Sequence, residues 1–289
     1  MSAEPQITAF FHEPTNTVGY LVADPATKAA AVIDPALDFD LASGKVGTAS
    51  VEALLATAAE RGLEIRWVLE THVHADHLSA ASVIKARTGA QIAIGEGISV
   101  VRRAFATTFG EMEDSGFDRL LGDGDRLPLG ELEIEVMATP GHTPACAAYR
   151  VGDAAFVGDT LFMPDYGTAR TDFPGGDARQ LYRSMHRILA LPRGTRLFMC
   201  HDYKAPGRDS FAWETTVGEQ IDRNIHIGGG VSEDDYVAMR EARDATLPVP
   251  KLLYPSIQVN LRGGQLPPAE TSGMHFLKIP LSVSDSSVL

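Results

Sequence analysis

The chain has 289 residues, of which 44% are hydrophobic and 22% are charged. These values are typical of globular proteins, and they exclude disorder as the general state. The net charge of −13 disfavours nucleic-acid binding without a local basic patch, and no apolar run reaches the roughly 18 residues that a membrane span needs. Two cysteines, Cys146 and Cys200, are too few for a disulfide scaffold and predict a reducing, cytoplasmic compartment.

Alternating and apolar runs predict a first half of strands followed by strand–helix alternation. The expected strands span 7–12, 17–23, 29–33, 65–69 and 91–94. A long loop is expected over 35–47, because Pro35, Gly44 and Gly47 interrupt that stretch. The expected helices span 51–61, 78–87 and 99–109. Ser50 is the predicted N-cap of the first helix.

The second half repeats this order. Strands are predicted at 132–138, 145–151, 154–157 and 195–200, and helices at 177–191, 213–223 and 233–245, with a mostly irregular tail from Lys251. A stripe of Arg179, Arg183 and Arg187 on the helix over 177–191 is interpreted as a solvated face. Nothing between the halves resembles a linker. We therefore expect a single α/β domain over 1–289, with a core over about 7–205 and a C-terminal helical and irregular extension over about 206–289.

The most informative segment contains three histidines and a carboxylate within six residues: His72, His74, Asp76 and His77. It lies between a predicted strand and a predicted helix. Residues two apart in an extended segment face the same way, so the first two histidines can point into one site. Imidazole together with carboxylate suits zinc or iron better than calcium or magnesium. The alternative, in which Asp76 merely caps the helix and the histidines are exposed, fits this dense pattern poorly.

Three further candidate ligands follow predicted strands, namely His142, Asp159 and His201. Each signal is weak alone, since an aspartate at a strand end is often only a turn former. The order H-x-H-x-D-H, His, Asp, His is highly specific as a set.

These motifs, THVHADH over 71–77, GH over 141–142, GD over 158–159 and HD over 201–202, resemble those of the metallo-β-lactamase superfamily. The resemblance covers about 7–205 and implies an αββα sandwich with metals between the sheet edges. In dinuclear members the matching residues would divide into one site of His72, His74 and His142 and another of Asp76, His77 and His201, bridged by Asp159.

The segments around 158–173, 181–186 and 201–203 are similar to those of the bacterial persulfide dioxygenases, which are related to glyoxalase II. That resemblance implies one Fe(II) per chain on His72, His142 and Asp159, with His74, Asp76, His77 and His201 as outer-sphere residues. Such a facial triad leaves three positions for substrate sulfur and dioxygen. The implied reaction converts glutathione persulfide to sulfite and glutathione during sulfide detoxification. Members of this family often form dimers, so a homodimer is a further expectation.

Substrate carboxylates require donors, and Arg170 and Tyr203 are the candidates. The alternatives are a structural salt bridge from Arg170 to Asp172 or Asp165, and a packed role for Tyr203. Two other functions stay open. The first is a dinuclear zinc or iron hydrolase of glyoxalase II type acting on a glutathione thioester. The second is a non-catalytic, metal-bound sulfur sensor.

Overall fold

The computed structural model describes residues 4–111 and 116–283, so the outermost residues of the predicted 1–289 domain lie outside it. A first six-stranded sheet has the order β1-β2-β3-β6-β8-β9. β1 and β2 are antiparallel to their neighbours, whereas β3, β6, β8 and β9 run parallel. The strands are β1 (Gln6–His12), β2 (Thr17–Ala23), β3 (Ala29–Ile33), β6 (Glu64–Glu70), β8 (Gln91–Gly95) and β9 (Arg119–Leu121).

A second six-stranded sheet follows the chain order from β10 to β15. Only its β13–β14 pair is parallel. The strands are β10 (Arg126–Leu129), β11 (Leu132–Ala138), β12 (Ala147–Val151), β13 (Ala154–Phe156), β14 (Arg196–Phe198) and β15 (Glu214–Thr216). The parallel pairs matter for function, because the carboxyl ends of neighbouring parallel strands meet at one sheet edge.

The two sheets pack face to face around an apolar core. Tyr20 on β2 contacts Phe156 on β13 and Phe198 on β14, with ring centroids 5.1 and 5.5 Å apart, and all three side chains are buried. Alternate residues of each strand point to the opposite face, where helices cover them. The helices are α1 (Ala49–Glu60), α2 (Ala81–Thr88), α3 (Ile98–Phe109), α4 (Ala178–Leu189), α5 (Val217–Arg223), α6 (Glu233–Asp244) and α7 (Leu253–Asn260).

Helices α1 and α2 pack on the first sheet, and α4, α5 and α6 pack on the second. The architecture is thus an αββα sandwich, and the predicted fold class is confirmed. Within the described ranges, no helix is long and apolar enough to cross a membrane. Arg179, Arg183 and Arg187 on α4 are exposed as expected, but each also pairs with a carboxylate, from Glu233 and Asp234 on α6 or from Asp123.

Several predicted elements in the first half were wrong. The segment over 35–47 is not a loop but contains β4 (Ala36–Asp40) and β5 (Lys45–Gly47), which form a small sheet with β7 (Leu78–Ser79). The helix predicted from residue 78 therefore begins only at Ala81, because Leu78 pairs with Leu37. Ser50 lies inside α1, and its hydroxyl donates to Asp38 Oδ1 at 2.6 Å rather than capping the helix.

The C-terminal part also departs from expectation. The helix predicted over 213–223 is divided into β15 and α5, since Glu214–Thr216 pairs with β14. The tail predicted to be irregular contains α7, most of which is buried. Its last residue, Asn260, reaches the histidine-rich loop, so the extension contributes directly to the site.

Candidate metal centre and active site

All seven predicted donors meet at one end of the sandwich. The histidine-rich loop 71–77 follows β6, Asp159 follows β13 in a short 3-10 turn, and His201 follows β14. The parallel pairs β3–β6 and β13–β14 direct their carboxyl ends to the same place. Two groups of donor atoms result, each with its members within 4.8 Å of one another: His72, His142 and Asp159, and His74, Asp76, His77 and His201.

Two glycines allow the loops to approach this closely. Gly141, with φ +140°, precedes His142, and a Cβ there would lie 2.3 Å from the backbone nitrogen of Leu181 on α4. Gly158, with φ +52°, precedes Asp159, and its Cβ would lie 2.6 Å from Thr71 Oγ1. Any side chain at either position would clash and would also strain the backbone.

The first group places two imidazole nitrogens around one carboxylate oxygen. Asp159 Oδ2 lies 3.8 Å from His72 Nε2 and 3.6 Å from His142 Nε2. All three residues are buried. Donor atoms at these separations converge on a common point, as ligands of one ion do.

Hydrogen bonds on the far sides of the rings select the tautomers. His142 Nδ1 donates to the carbonyl oxygen of Arg170 at 2.7 Å. The Thr71 hydroxyl donates to Asp34 Oδ2 at 2.8 Å, so it accepts from His72 Nδ1 at 3.0 Å. Both rings therefore present an unprotonated Nε2 to the site, which is the form that binds a metal.

The ring of His74 has the opposite orientation, with Nε2 rather than Nδ1 facing its supporting residues. Its Nε2 lies 3.1 Å from Asp34 Oδ1 and 3.3 Å from Glu70 Oε2, so Nδ1 faces the loop. Burial alone would lower the pKa of His74, but the carboxylates of Asp34 and Glu70 outweigh it and raise the pKa well above its usual value. These buried carboxylates favour positive charge at this position.

The second group has the unsatisfied atoms that a cation or water would occupy. His77 Nδ1 bonds the carbonyl of Leu78 at 3.1 Å, and burial lowers the pKa of His77 to about 3. His201 Nε2 lies 3.3 Å from Asp76 Oδ2 and 3.4 Å from Asp159 Oδ1. These approaches are not aligned as hydrogen bonds. Among the described residues, five buried side-chain atoms at the site form none: His74 Nδ1, Asp76 Oδ2, His77 Nε2, Asp159 Oδ1 and His201 Nε2.

Buried polar atoms rarely lack partners. Imidazole nitrogens and carboxylate oxygens aimed at one volume are the donor set of zinc or iron. The residues present therefore fit a metal, and the site is a His/Asp metal-binding site.

Four supporting residues escaped the sequence analysis. Asp34 and Glu70 hold His74, Thr71 orients His72, and the Asn260 amide donates to the carbonyls of His74 and His77 at 2.9 and 2.8 Å. Asp34 follows β3 at φ +48°, a position that in sequence looks like an ordinary turn. No sequence signal connects Asn260 to a loop more than 180 residues away.

A cavity of 490 Å³ opens beside the first donor group. The buried His142 and Asp159, with Asp76, form its inner wall. The outer wall contains the exposed Arg243 of α6 and the apolar segment 247–250 that follows this helix. This volume lies in the ordinary range for small-molecule sites.

Arg170 and Tyr203, the predicted substrate contacts, both line this cavity. The guanidinium of Arg170 is already engaged, since Nε and Nη2 donate to Asp172 at 2.5 and 2.6 Å and Nη1 donates to the carbonyl of Pro248 at 2.8 Å. The salt bridge to Asp172 is thus present. The ring of Tyr203 stacks on the ring of His201, with centroids 5.7 Å apart. Tyr203 also lines the cavity.

Comparisons with known proteins agree with this geometry. A family model for the metallo-beta-lactamase superfamily matches residues 13–201, more than half of the chain. The chain belongs to the metallo-β-lactamase superfamily. It is accordingly an enzyme of that superfamily with the superfamily's metal-binding site.

Relatives within the superfamily include proteins named as hydrolases and proteins named as dioxygenases. A probable metallo-hydrolase of Burkholderia pseudomallei is 52% identical over 95% of this chain and 98% of its own. The mitochondrial persulfide dioxygenase ETHE1 of Mus musculus is 29% identical over 93% of each chain. The crystal structure of ETHE1 from Myxococcus xanthus superposes with a TM-score of 0.73 and 31% identity, covering 90% of this chain and all of the other.

Proposed function

We propose that the protein is an iron-dependent persulfide dioxygenase that oxidises glutathione persulfide. In the balanced reaction, the persulfide, dioxygen and water give glutathione, sulfite and two protons. The observation that carries the proposal is the convergence of two imidazoles and one carboxylate, from His72, His142 and Asp159, beside an open cavity. The likeness to ETHE1 structures and sequences supports it.

This donor set corresponds to the facial triad of non-haem iron oxygenases. When bound there, one Fe(II) would supply redox chemistry and open coordination positions for sulfur and dioxygen, which zinc cannot do. The chain's own contribution is to keep His72 and His142 in the metal-binding tautomer through Thr71 and the Arg170 carbonyl. In this proposal His74, Asp76, His77 and His201 act as outer-sphere residues that orient ligands and water.

Arg170 and Tyr203 are proposed to border the substrate. Tyr203 presents its hydroxyl-bearing ring at the cavity, next to His201. Arg170 contributes mainly by holding Pro248 in the wall, because its guanidinium fork is occupied by Asp172. A cytoplasmic location, a homodimer and a single domain over 1–289 remain predictions.

A second candidate is a dinuclear hydrolase that cleaves a glutathione thioester. The unpartnered atoms of His74, Asp76, His77 and His201 favour it, since they could hold a second cation. The metallo-hydrolase name of the Burkholderia relative points the same way.

The two candidates are separated by supplying each substrate to the anaerobically purified protein. We expect oxygen uptake with glutathione persulfide, with one sulfite formed per dioxygen consumed. S-lactoylglutathione should be cleaved slowly or not at all. Rapid thioester cleavage without persulfide-dependent oxygen uptake would refute the dioxygenase proposal and favour the hydrolase.

A further inference from the structure

The cavity beside the metal centre has three arginines in its wall, namely Arg170, Arg240 and Arg243. Two of them are neutralised within the protein. Arg170 forms the two-point salt bridge with Asp172. Arg240 is buried, lies 2.6 Å from Asp244 Oδ1 and donates to the carbonyl of Thr168 at 3.0 Å.

Arg243 differs from both. It lies on α6, its side chain is exposed, and among residues 4–111 and 116–283 no carboxylate or carbonyl accepts a hydrogen bond from its guanidinium. Arg243 lines the cavity together with Tyr166. The electrostatics of Tyr166 agree with this placement: burial raises its pKa, and Arg243, followed by Arg240, opposes that rise. The cavity therefore has one uncompensated cation on its outer side.

We propose that Arg243 binds a carboxylate of the substrate and thereby selects anionic thiol-derived persulfides over uncharged ones. This inference rests on the proposed function, and it names the residue that recognises the end of the substrate remote from the reacting sulfur. The inner wall contains the metal ligands His142 and Asp159, so the sulfur belongs there. A carboxylate elsewhere in the molecule then needs a cation on the outer side.

Two further features support this assignment. The chain as a whole has a charge of −13, so long-range attraction cannot recruit an anion and a local donor must act. The guanidinium is planar and presents paired N–H donors that match a carboxylate. Within the described part of the chain, the N–H donors of Arg243 are free. Arg170, the residue that sequence alone favours, already uses Nε, Nη1 and Nη2 in hydrogen bonds to Asp172 and Pro248.

The test measures oxygen uptake by wild type, Arg243→Ala, Arg243→Gln and Arg243→Lys with two substrates. One is glutathione persulfide, and the other is the persulfide of 2-mercaptoethanol, which has no carboxylate. Loss of a charge-assisted hydrogen bond should raise KM for glutathione persulfide by about 10–100-fold in the alanine and glutamine variants, with kcat changed by less than about twofold. The lysine variant should be intermediate, and KM for the uncharged persulfide should stay constant.

Arg103→Ala provides the matched control, because Arg103 is an exposed arginine on α3 outside the cavity. It should leave both KM values unchanged. Equal KM values in wild type and the Arg243 variants, or equal losses with both persulfides, would overturn the inference.

A binding measurement separates this inference from the proposed reaction. Calorimetric titration of each purified protein with glutathione should give a Kd about 10–100-fold weaker in Arg243→Ala than in wild type. If wild type cleaves S-lactoylglutathione and takes up no oxygen, the dioxygenase proposal fails. The Kd and the thioester KM then still decide the role of Arg243, and unchanged values would refute it.

Discussion

The Nδ1 atom of His142 lies 2.7 Å from the backbone carbonyl oxygen of Arg170. The segment between β13 and α4 therefore orients a proposed metal ligand through its main chain, while the side chain of Arg170 holds Asp172 and Pro248. A carbonyl persists whatever side chain the residue has. Ligand orientation and wall structure can consequently be separated by mutation at one position.

The Arg170→Ala variant should keep its bound metal, because the backbone carbonyl of residue 170 that orients His142 is unchanged. Loss of the partly exposed salt bridge and of the bond to Pro248 should lower the free energy of unfolding by about 1 kcal/mol. KM for glutathione persulfide should rise less than it does in Arg243→Ala. Metal analysis, chemical denaturation and steady-state kinetics check these three points. Loss of metal, or a KM effect larger than that of Arg243→Ala, would contradict this division of roles.

Thr71→Val removes the hydroxyl that accepts from His72 Nδ1 and donates to Asp34 while keeping the side-chain volume. His72 then loses its tautomer control, and metal affinity should fall about 10–100-fold, the usual effect of losing an outer-sphere partner. Competition with a chelator of known affinity measures the change. Thr71→Ser serves as the control and should retain most of the affinity. An unaltered affinity in Thr71→Val would show that the threonine is not needed for orientation.

Asp76→Ala tests whether Asp76 is a ligand. In the proposed scheme the metal on His72, His142 and Asp159 should stay in place. Activity should be about 10–100-fold lower, because an outer-sphere carboxylate 3.3 Å from His201 Nε2 is lost. Elemental analysis alongside oxygen uptake gives both quantities. If the variant loses all its metal, or falls from two ions per chain to one, then Asp76 is a ligand and the dinuclear scheme gains support.

His226 should make the protein less stable in mild acid. It is buried, and its Nδ1 accepts from the backbone of Thr168 at 3.0 Å. Burial and then Arg240 and Arg243 lower the pKa of His226 from 6.5 to about 4. Between these two values the unfolded chain binds a proton that the folded chain does not, so the free energy of unfolding decreases as pH falls through that window.

Protonation linked to His226 should lower the free energy of unfolding by about 3 kcal/mol between neutral pH and pH 4. Denaturant unfolding at several pH values, compared between wild type and His226→Gln, isolates it from the other titrating groups. The glutamine variant should show a smaller loss between pH 6.5 and 4. Parallel curves for the two proteins would refute the assigned pKa.

The convergence of the seven candidate side chains could be predicted from sequence, because the histidine-rich loop is compact and the remaining candidates each follow a strand. The structure brings all seven together, as the β3–β6 and β13–β14 pairs require. The sequence did not predict which nitrogen of each ring faces the site. That choice depends on Thr71, Asp34, Glu70 and the Arg170 carbonyl, whose partners are set by tertiary contacts.

Other errors in the predictions from sequence also arise because tertiary contacts, rather than local pattern, determine the structure. Pro35, Gly44 and Gly47 favour a loop over 35–47, yet β4 pairs with β7 and forms a strand that the local pattern did not reveal. Asn260 ends a buried helix in a tail that looked irregular. Its contact with the histidine-rich loop depends on packing across nearly the whole length of the chain.

Metal stoichiometry of anaerobically purified protein, measured together with persulfide-dependent oxygen uptake, decides whether the protein is a mononuclear iron dioxygenase. We predict about one iron per chain, with oxygen uptake proportional to iron content across preparations and restored to metal-free protein by Fe(II) alone. Two zinc ions per chain with full activity in that form would contradict it.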